Sequence, residues 1–158
     1  MCIRDRIEGR GLFYNITINK KKVKLIDESY NASPASMLNC IDYFENFYLS
    51  NKCKKIIILG EMLELGKMSE KFHKQILTRI SNTSIDIVII CGKIYKKIFD
   101  IEDSKLKEIY FFNNELQIIK FLAANVLKND IILAKGSNSS RVNILVNLLL
   151  KTKKEKIC

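Results

Sequence analysis

The sequence has few of the residues that build metal centres and hydrolytic triads. Its 158 residues include a single histidine, His73, so a zinc site or a Ser-His-Asp triad would have to be built around that one side chain. The five cysteines are an odd number and contain no Cys-x-x-Cys pair, which argues against a disulfide framework and fits the reducing cytoplasm. We therefore expect no metal site and no disulfide-stabilised secreted domain.

The chain also has no apolar run long enough to cross a membrane. Its longest aliphatic runs, Ile56 to Leu59 and Ile87 to Ile90, are far below the roughly 20 residues of a membrane-spanning helix. The charged start of the chain lacks the apolar core of a signal peptide. With 47% hydrophobic and 28% charged residues, the composition predicts one globular, cytoplasmic domain without membrane insertion.

The formal net charge of +10 suggests an anionic partner, but its origin weakens that interpretation. Lysine supplies 22 of the 27 basic residues, whereas arginine, which reads bases and phosphates best, supplies five. Isoleucine, lysine and asparagine, all encoded by A/T-rich codons, make up 61 of the 158 residues. We expect a solvated lysine surface and no nucleic-acid partner. A stand-alone nucleotide- or RNA-binding module remains an alternative.

The order of apolar and polar residues predicts an α/β fold. Two alternating segments, Leu12 to Asn19 and Val23 to Asp27, are typical of a β-hairpin. Ser33 and Pro34 are an N-cap and first-turn pair for a helix that runs to about Leu49. Apolar strands and helices then alternate, with strands expected at 54–59, 86–91, 108–112 and 130–135 and further helices at 69–80, after Gly92, up to 127 and at 139–150. The pattern predicts a Rossmann-like, mostly parallel sheet of about six strands with helices on both faces and an N-terminal β-hairpin.

Three loops at the predicted carboxyl ends of strands carry unusual chemistry, and ligands of such sheets bind at that edge. The loop from Asp27 to Pro34 brings two carboxylates, a phenol and an amide to a helix N-terminus, which favours anions. The loop from Gly60 to Gly66 is acidic and apolar. The loop from Lys135 to Ser139 combines a cation, a glycine and hydroxyls, which suits a carboxylate or a phosphate. Taken singly, the first and third also fit purely structural turns, and no Gly-x-x-x-x-Gly-Lys-Ser/Thr motif occurs.

In order along the chain, four motifs resemble the C-terminal domain of the MurF family, the UDP-N-acetylmuramoyl-tripeptide:D-alanyl-D-alanine ligases. The motifs are GRG at 9–11, IDESYNASPASM at 26–37, LGEMLELG at 59–66 and KGSNSSR at 135–141. The resemblance implies a reaction in which ATP activates a substrate carboxylate as an acyl phosphate that the amine of D-alanyl-D-alanine attacks. It also implies a monomeric three-domain enzyme in which ATP and Mg²⁺ are held mainly by a central P-loop domain. We therefore expect the 158-residue chain to be inactive alone.

The resemblance also divides the chain. We expect residues 12–150 to be the Mur ligase C-terminal domain, residues 7–11 a remnant of an interdomain linker, and residues 151–158 a lysine-rich tail. Residues 1–6 match the translation of a transposon-derived sequencing adapter, so we interpret them as a library artefact. Other Mur ligases and folylpolyglutamate synthases share the domain plan. The Ser-Tyr-Asn-Ala sequence and the LGEMLELG loop argue against those sister families.

Residue by residue, the resemblance implies two groups of contacts. The expected ATP-binding residues are Arg10, Asp27 and Glu28. The expected D-alanyl-D-alanine-binding residues are Tyr30, Asn31, Ser33, Lys135, Gly136 and Ser137. No residue is assigned to catalysis, because we expect the Glu61 and Glu64 loop to shape the cleft and His73 to be structural.

Overall fold

The computed structural model describes residues 9–50, 52–99, 108–151 and 155–156. The expectations for residues 1–6, for residues 7–8 of the linker remnant and for residues 152–154 and 157–158 of the tail lie outside these ranges. The described part contains strands β1 (Leu12–Ile18), β2 (Lys21–Glu28), β3 (Lys55–Gly60), β4 (Ile87–Cys91), β5 (Glu108–Phe112), β6 (Ile131–Lys135) and β7 (Glu155–Lys156). Its helices are α1 (Pro34–Glu45), α2 (Ser69–Ser81), α3 (Lys93–Ile98), α4 (Glu115–Asn125) and α5 (Val142–Lys151). None of these described helices is long and apolar enough to span a bilayer.

All seven strands form one sheet in the order β5-β4-β3-β6-β2-β1-β7. Strands β5, β4, β3, β6 and β2 are parallel, and β1 completes the antiparallel hairpin with β2. The predicted mostly parallel sheet of about six strands with an N-terminal β-hairpin is therefore confirmed. The two-residue β7 is an addition within the predicted tail. It pairs with Tyr14 and Asn15 of β1 and so covers part of what would otherwise be the sheet edge.

The sheet is buried on both faces because helices cover both. Helices α4 and α5 pack on one face, against residues such as Ile56 and Ile58 of β3. Helices α1, α2 and α3 pack on the other face, against Ile57 and Leu59 of the same strand. Successive side chains of a strand point to opposite faces, so a continuous apolar run is what a doubly covered strand requires.

Two helix ends differ from the predicted positions, and local contacts explain both. Helix α1 ends at Glu45 rather than at about Leu49, because the Phe47 backbone N–H donates to the Phe44 carbonyl three residues back instead of keeping the four-residue α-helical spacing. The Asn46 side-chain amide also donates to the Asp42 carbonyl. Helix α5 begins at Val142 rather than near Ser139. Arg141 before it has a φ of 68°, a left-handed conformation that does not continue an α-helix.

We predict that β3, which is covered by helices on both faces, carries a large share of the stability. Ile57→Ala removes a fully buried side chain and should lower the free energy of unfolding by about 2–5 kcal/mol, since the side-chain burial is lost and a cavity is left. Ile144→Ala is the matched control, because Ile144 on α5 is 47% exposed and its loss should change stability by less than about 0.5 kcal/mol. Urea unfolding followed by circular dichroism measures both. Equal effects would contradict the doubly buried sheet.

Candidate functional site

The candidate site lies where the parallel strands end, and the position of β6 creates it. Strand β6 lies between β2 and β3. The helix that follows β6 packs on the opposite face from the helices that follow β2 and β3. The connections on either side of β6 therefore diverge, which opens crevices at the carboxyl edge of the sheet.

One crevice gathers most of the residues predicted from the sequence. We call it the Lys135 cavity, of about 520 Å³, lined by Gly9, Arg10, Gly11, Glu28, Tyr30, Asn31, Ser33, Ser36 and Lys135. Six of the nine predicted site residues belong to this lining, and they come from segments more than 100 positions apart in sequence. The resemblance-based grouping of the first and third loops thus corresponds to a real cavity.

Lys135 is the most buried charge of this cavity. Its side chain is 5% exposed, and its ammonium donates to the main-chain carbonyl of Asn31 over 2.8 Å. The Glu28 carboxylate lies 3.9 Å from the same nitrogen. Lys135 therefore joins the last parallel strand to the loop after β2, and part of its charge is balanced within the protein.

Asp27 and Glu28 do not face the same space. Strand β2 continues through Glu28, so the two neighbouring side chains point to opposite sides of the sheet. Asp27 is buried, and its Oδ1 accepts hydrogen bonds from the backbone and hydroxyl of Ser29 at 3.0 and 2.6 Å. It lines a separate cavity of about 250 Å³. The paired carboxylates expected from the motif are thus split, and only Glu28 lines the Lys135 cavity.

Arg10 and Tyr30 form the outer wall of the Lys135 cavity. The guanidinium carbon of Arg10 lies 4.4 Å from the centroid of the Tyr30 ring, a cation–π contact worth roughly 0.5–1 kcal/mol at an exposed site. Gly9 makes this arrangement possible. It has a φ of 80°, and a Cβ there would lie 2.7 Å from the Tyr30 nitrogen, which donates to the Gly9 carbonyl.

Asn31 and Ser33 use their side chains within the protein. The Asn31 side-chain oxygen accepts from the backbone of Ala32 at 2.8 Å. Ser33 is the N-cap of α1 and forms a reciprocal capping box with Ser36. The structural interpretation of this turn as a helix start is confirmed for Ser33.

Gly136 and Ser137 lie behind the cavity rather than in its lining. A Cβ on Gly136 would lie 2.3 Å from the Ser140 hydroxyl and 3.2 Å from the Gly60 Cα, so the loop after β6 can pack against β3 only with glycine there. The Ser137 hydroxyl donates to the Glu61 carbonyl over 2.9 Å. Both residues therefore hold the loop after β6 against the loop after β3.

His73 fixes the other side of the loop after β3. Its Nε2 accepts from the Met62 backbone at 3.0 Å, so the proton is on Nδ1, which donates to the Ser69 carbonyl over 2.7 Å. The imidazole is fully buried and packs edge-on against Tyr95. Burial lowers the pKa of His73 below its ordinary value, so the ring is neutral at pH 7. The structural role expected for His73 is confirmed.

Cys40 and Cys91 are not reactive nucleophiles. Burial raises the pKa of Cys40 and of Cys91 to about 12, so both are protonated thiols at neutral pH. Within the described ranges, no group of three His, Cys, Asp or Glu side chains is placed to hold a metal ion.

A second cavity, which we call the Arg141 cavity, was not predicted from the sequence. It has a volume of about 280 Å³ and lies beyond the carboxyl ends of β3, β4 and β5, with a lining of Glu61, Cys91, Gly92, Lys93, Phe112, Asn113, Asn114, Glu115, Ser139, Ser140 and Arg141. Arg141 forms a two-point ion pair with Glu115, at 2.5 and 2.9 Å. Two features of the sequence could have indicated this ion pair. Arg141 is the last residue of the KGSNSSR motif, and Glu115 directly follows Asn114, the N-cap of α4.

The chain is similar to known ligases along most of its length. A family model described as "Mur ligase, glutamate ligase domain" matches residues 15–138. The UDP-N-acetylmuramoyl-tripeptide:D-alanyl-D-alanine ligase of Buchnera aphidicola subsp. Baizongia pistaciae is 35% identical over 138 residues, 86% of this chain and 28% of the relative. The Bacillus subtilis protein of the same name is 31% identical over 132 residues, 82% of this chain and 28% of the relative.

Solved structures agree with these relatives. The crystal structure of a MurF ligase from Thermotoga maritima in complex with ADP matches with a TM-score of 0.71 and 27% identity, over 93% of this chain and 31% of that one. The chain thus spans less than a third of the length of the curated relatives and of this solved structure.

The buried His73 predicts a pH-dependent stability. Its pKa is lowered in the fold, so the unfolded chain takes up a proton below about pH 6.5 while the folded chain does not. Stability is therefore complete above that pH and falls as the pH is lowered toward the folded pKa, by at most about 1.4 kcal/mol per pH unit.

The control is His73→Gln, whose amide oxygen can still accept from the Met62 backbone but does not titrate. Chemical denaturation at a series of pH values between about 7.5 and 5.5 should give a steeper loss of stability for the natural chain than for the variant. Parallel pH profiles would contradict a neutral, buried imidazole.

Proposed function

Because this chain belongs to the Mur ligase family, we propose that it is the C-terminal domain of an ATP-dependent ligase that adds D-alanyl-D-alanine to UDP-N-acetylmuramoyl-tripeptide in peptidoglycan precursor synthesis. The observation that carries the proposal is the Lys135 cavity, where six residues implied by the MurF resemblance meet at the carboxyl edge of the sheet. The relatives at 35% and 31% identity bear that ligase name, which supports this substrate pair over those of sister families.

The charges of the Lys135 cavity suit a nucleotide. Two cations, Arg10 and Lys135, and one carboxylate, Glu28, give its lining one net positive charge, and an anionic phosphate is attracted to such a site. Bound ATP supplies the phosphoryl group that activates the acceptor carboxylate. In this proposal Arg10 faces the phosphates, Glu28 accepts a ribose hydroxyl, and the P-loop and most Mg²⁺ ligands belong to a central domain. A cytoplasmic location and a monomeric state remain predictions.

Asp27 has a different part in this scheme. One carboxylate oxygen of Asp27 already accepts two hydrogen bonds from Ser29. Asp27 therefore stabilises the turn that follows β2. A direct ribose contact by Asp27 remains a prediction. The expected dipeptide contacts also remain predictions, and the geometry favours Tyr30, Asn31 and Lys135, which line the cavity, over Ser33, Gly136 and Ser137, which make internal bonds or close packing contacts.

The activity is tested with a hybrid enzyme in which residues 9–150 replace the matching segment of the Bacillus subtilis ligase. We expect the hybrid to release ADP and form the pentapeptide precursor, as measured by a coupled ADP assay and mass spectrometry. The same ligase without its C-terminal segment, and the 158-residue chain alone, should both be inactive. A hybrid that folds, binds ATP and still adds no D-alanyl-D-alanine would contradict the proposal.

Single substitutions in the hybrid separate Glu28 from Asp27. Glu28→Gln should raise the KM for ATP about ten-fold, because a charged hydrogen bond to ribose is worth roughly 1.5–3 kcal/mol, and should change the KM for the dipeptide by less than about two-fold. Asp27→Ala should lower the melting temperature, because the two donors of Ser29 lose their acceptor. Equal effects of Glu28→Gln on both substrates would remove Glu28 from a nucleotide role.

A further inference from the structure

The three arginines in the described ranges are held in two different ways. Arg79 and Arg141 are paired with carboxylates of α1 and of α4, respectively. Arg10 has no ion-pair partner within the described ranges. Its guanidinium carbon lies 4.4 Å from the centroid of the Tyr30 ring. Of these three side chains, Arg10 is therefore the one that an aromatic face holds.

This difference decides how many donors an arginine has left for an anion. A carboxylate partner occupies donors at the edge of the guanidinium and offsets its charge, as in Arg141, whose Nε and Nη2 both donate to Glu115. A ring partner covers only the flat face, so the charge and the N–H donors at the edge stay available. Such an edge matches the oxygens of a phosphate in a bidentate geometry. Arg10 therefore combines an oriented plane with a full set of donors.

Two glycines fix the backbone on either side of Arg10. Gly9 and Gly11 have φ values of 80° and 66°, in the left-handed region that glycine adopts without steric cost. The Tyr30 nitrogen donates to the Gly9 carbonyl over 3.0 Å, and the Gly11 nitrogen donates to the Asp27 carbonyl over 2.8 Å. Arg10 therefore lies between two main-chain hydrogen bonds to the end of β2 and the loop after it, and its side chain starts from a backbone that they define.

Tyr30 lies on the boundary between two cavities. It lines the Lys135 cavity and also the separate cavity of about 250 Å³ that Asp27 lines. Tyr30 is 42% exposed, yet its backbone is closely packed, because a Cβ on Gly9 would lie 2.7 Å from its nitrogen and 2.9 Å from its Cβ. An exposed ring on a fixed backbone provides a stable surface for stacking a guanidinium.

From these contacts we propose that Tyr30 is a positioning residue for Arg10. Its ring stacks on the guanidinium and holds the N–H edge toward phosphates bound in the Lys135 cavity. The inference rests on the proposed function and deepens it, because it assigns the Tyr30 ring to the nucleotide through Arg10. The Tyr30 hydroxyl takes no part in this stacking and is left for the expected dipeptide contact. Arg10 contacts the phosphates, and the ring acts through Arg10.

The test is a double-mutant cycle in the hybrid enzyme, measured by isothermal titration of a non-hydrolysable ATP analogue. Tyr30→Leu keeps an apolar side chain but removes the ring. It should weaken binding of the analogue about two- to five-fold, which is the equivalent of one cation–π contact at an exposed site. Arg10→Gln should weaken binding about ten-fold. Because the ring acts through Arg10, the double variant should match Arg10→Gln alone to within about two-fold.

Further measurements separate this role from a purely structural one. Tyr30→Phe keeps the ring and should recover most of the affinity for the analogue that Tyr30→Leu loses. Adenosine, which has no phosphate, should bind equally well to Tyr30→Leu and to the unsubstituted hybrid. Tyr30→Leu and Tyr30→Phe both lack the hydroxyl, so they should share one KM for the dipeptide and differ in the KM for ATP. The matched control is Tyr43→Leu on α1, which removes a tyrosine that is 51% exposed and lines neither cavity beside Tyr30. It should leave binding of the analogue unchanged.

The outcomes separate this inference from the proposed function. Additive losses in the double variant would overturn the inference, as would equal weakening of adenosine and the analogue by Tyr30→Leu. If Tyr30→Leu raised only the KM for the dipeptide, and did so beyond Tyr30→Phe, the ring would contact the dipeptide and the proposed function would stand. A hybrid that shows the expected cycle with the analogue but forms no pentapeptide precursor would contradict the proposed function and leave the positioning role of Tyr30 intact.

Discussion

The arrangement of the site depends on the packing of β6 between β2 and β3. The connection after β6 turns toward one face of the sheet, and those after its neighbours turn toward the other. The loop after β6 is nevertheless held close to the loop after β3, because Gly136 packs against Gly60 and the Ser137 hydroxyl donates to the Glu61 carbonyl. This contact lies between the Lys135 cavity and the Arg141 cavity at the carboxyl edge.

The same loop contacts explain why residues that look functional in the sequence have structural tasks. The loop after β3 is fixed from one side by Ser137 and from the other by His73, which accepts from the Met62 backbone. Ser33 caps α1, and Asp27 accepts two hydrogen bonds from Ser29. A ligand site at a strand edge needs such internal bonds, because its loops must keep their positions before a substrate binds.

Much of the architecture could be predicted from the sequence because it follows from short-range patterns. The apolar run that forms β3 is recognised from consecutive residues, and the start of α1 is recognised from the neighbouring Ser33 and Pro34. The split of Asp27 from Glu28 could not be predicted, because it depends on β2 continuing through Glu28, one residue beyond the expected end, which places the two neighbouring side chains on opposite sides of the sheet. The Arg141–Glu115 pair joins two residues that are 26 positions apart in the sequence, and it depends on the left-handed backbone of Arg141. The periodic spacing of apolar residues carries no information about such a contact.

The proposed ligase role depends on the Lys135 cavity as the nucleotide site. Its most direct test is isothermal titration of a non-hydrolysable ATP analogue into the hybrid enzyme and into its Glu28→Gln and Ile144→Ala variants. A nucleotide role predicts about ten-fold weaker binding for Glu28→Gln and unchanged binding for Ile144→Ala. Equal affinity of all three proteins for the analogue would contradict the account.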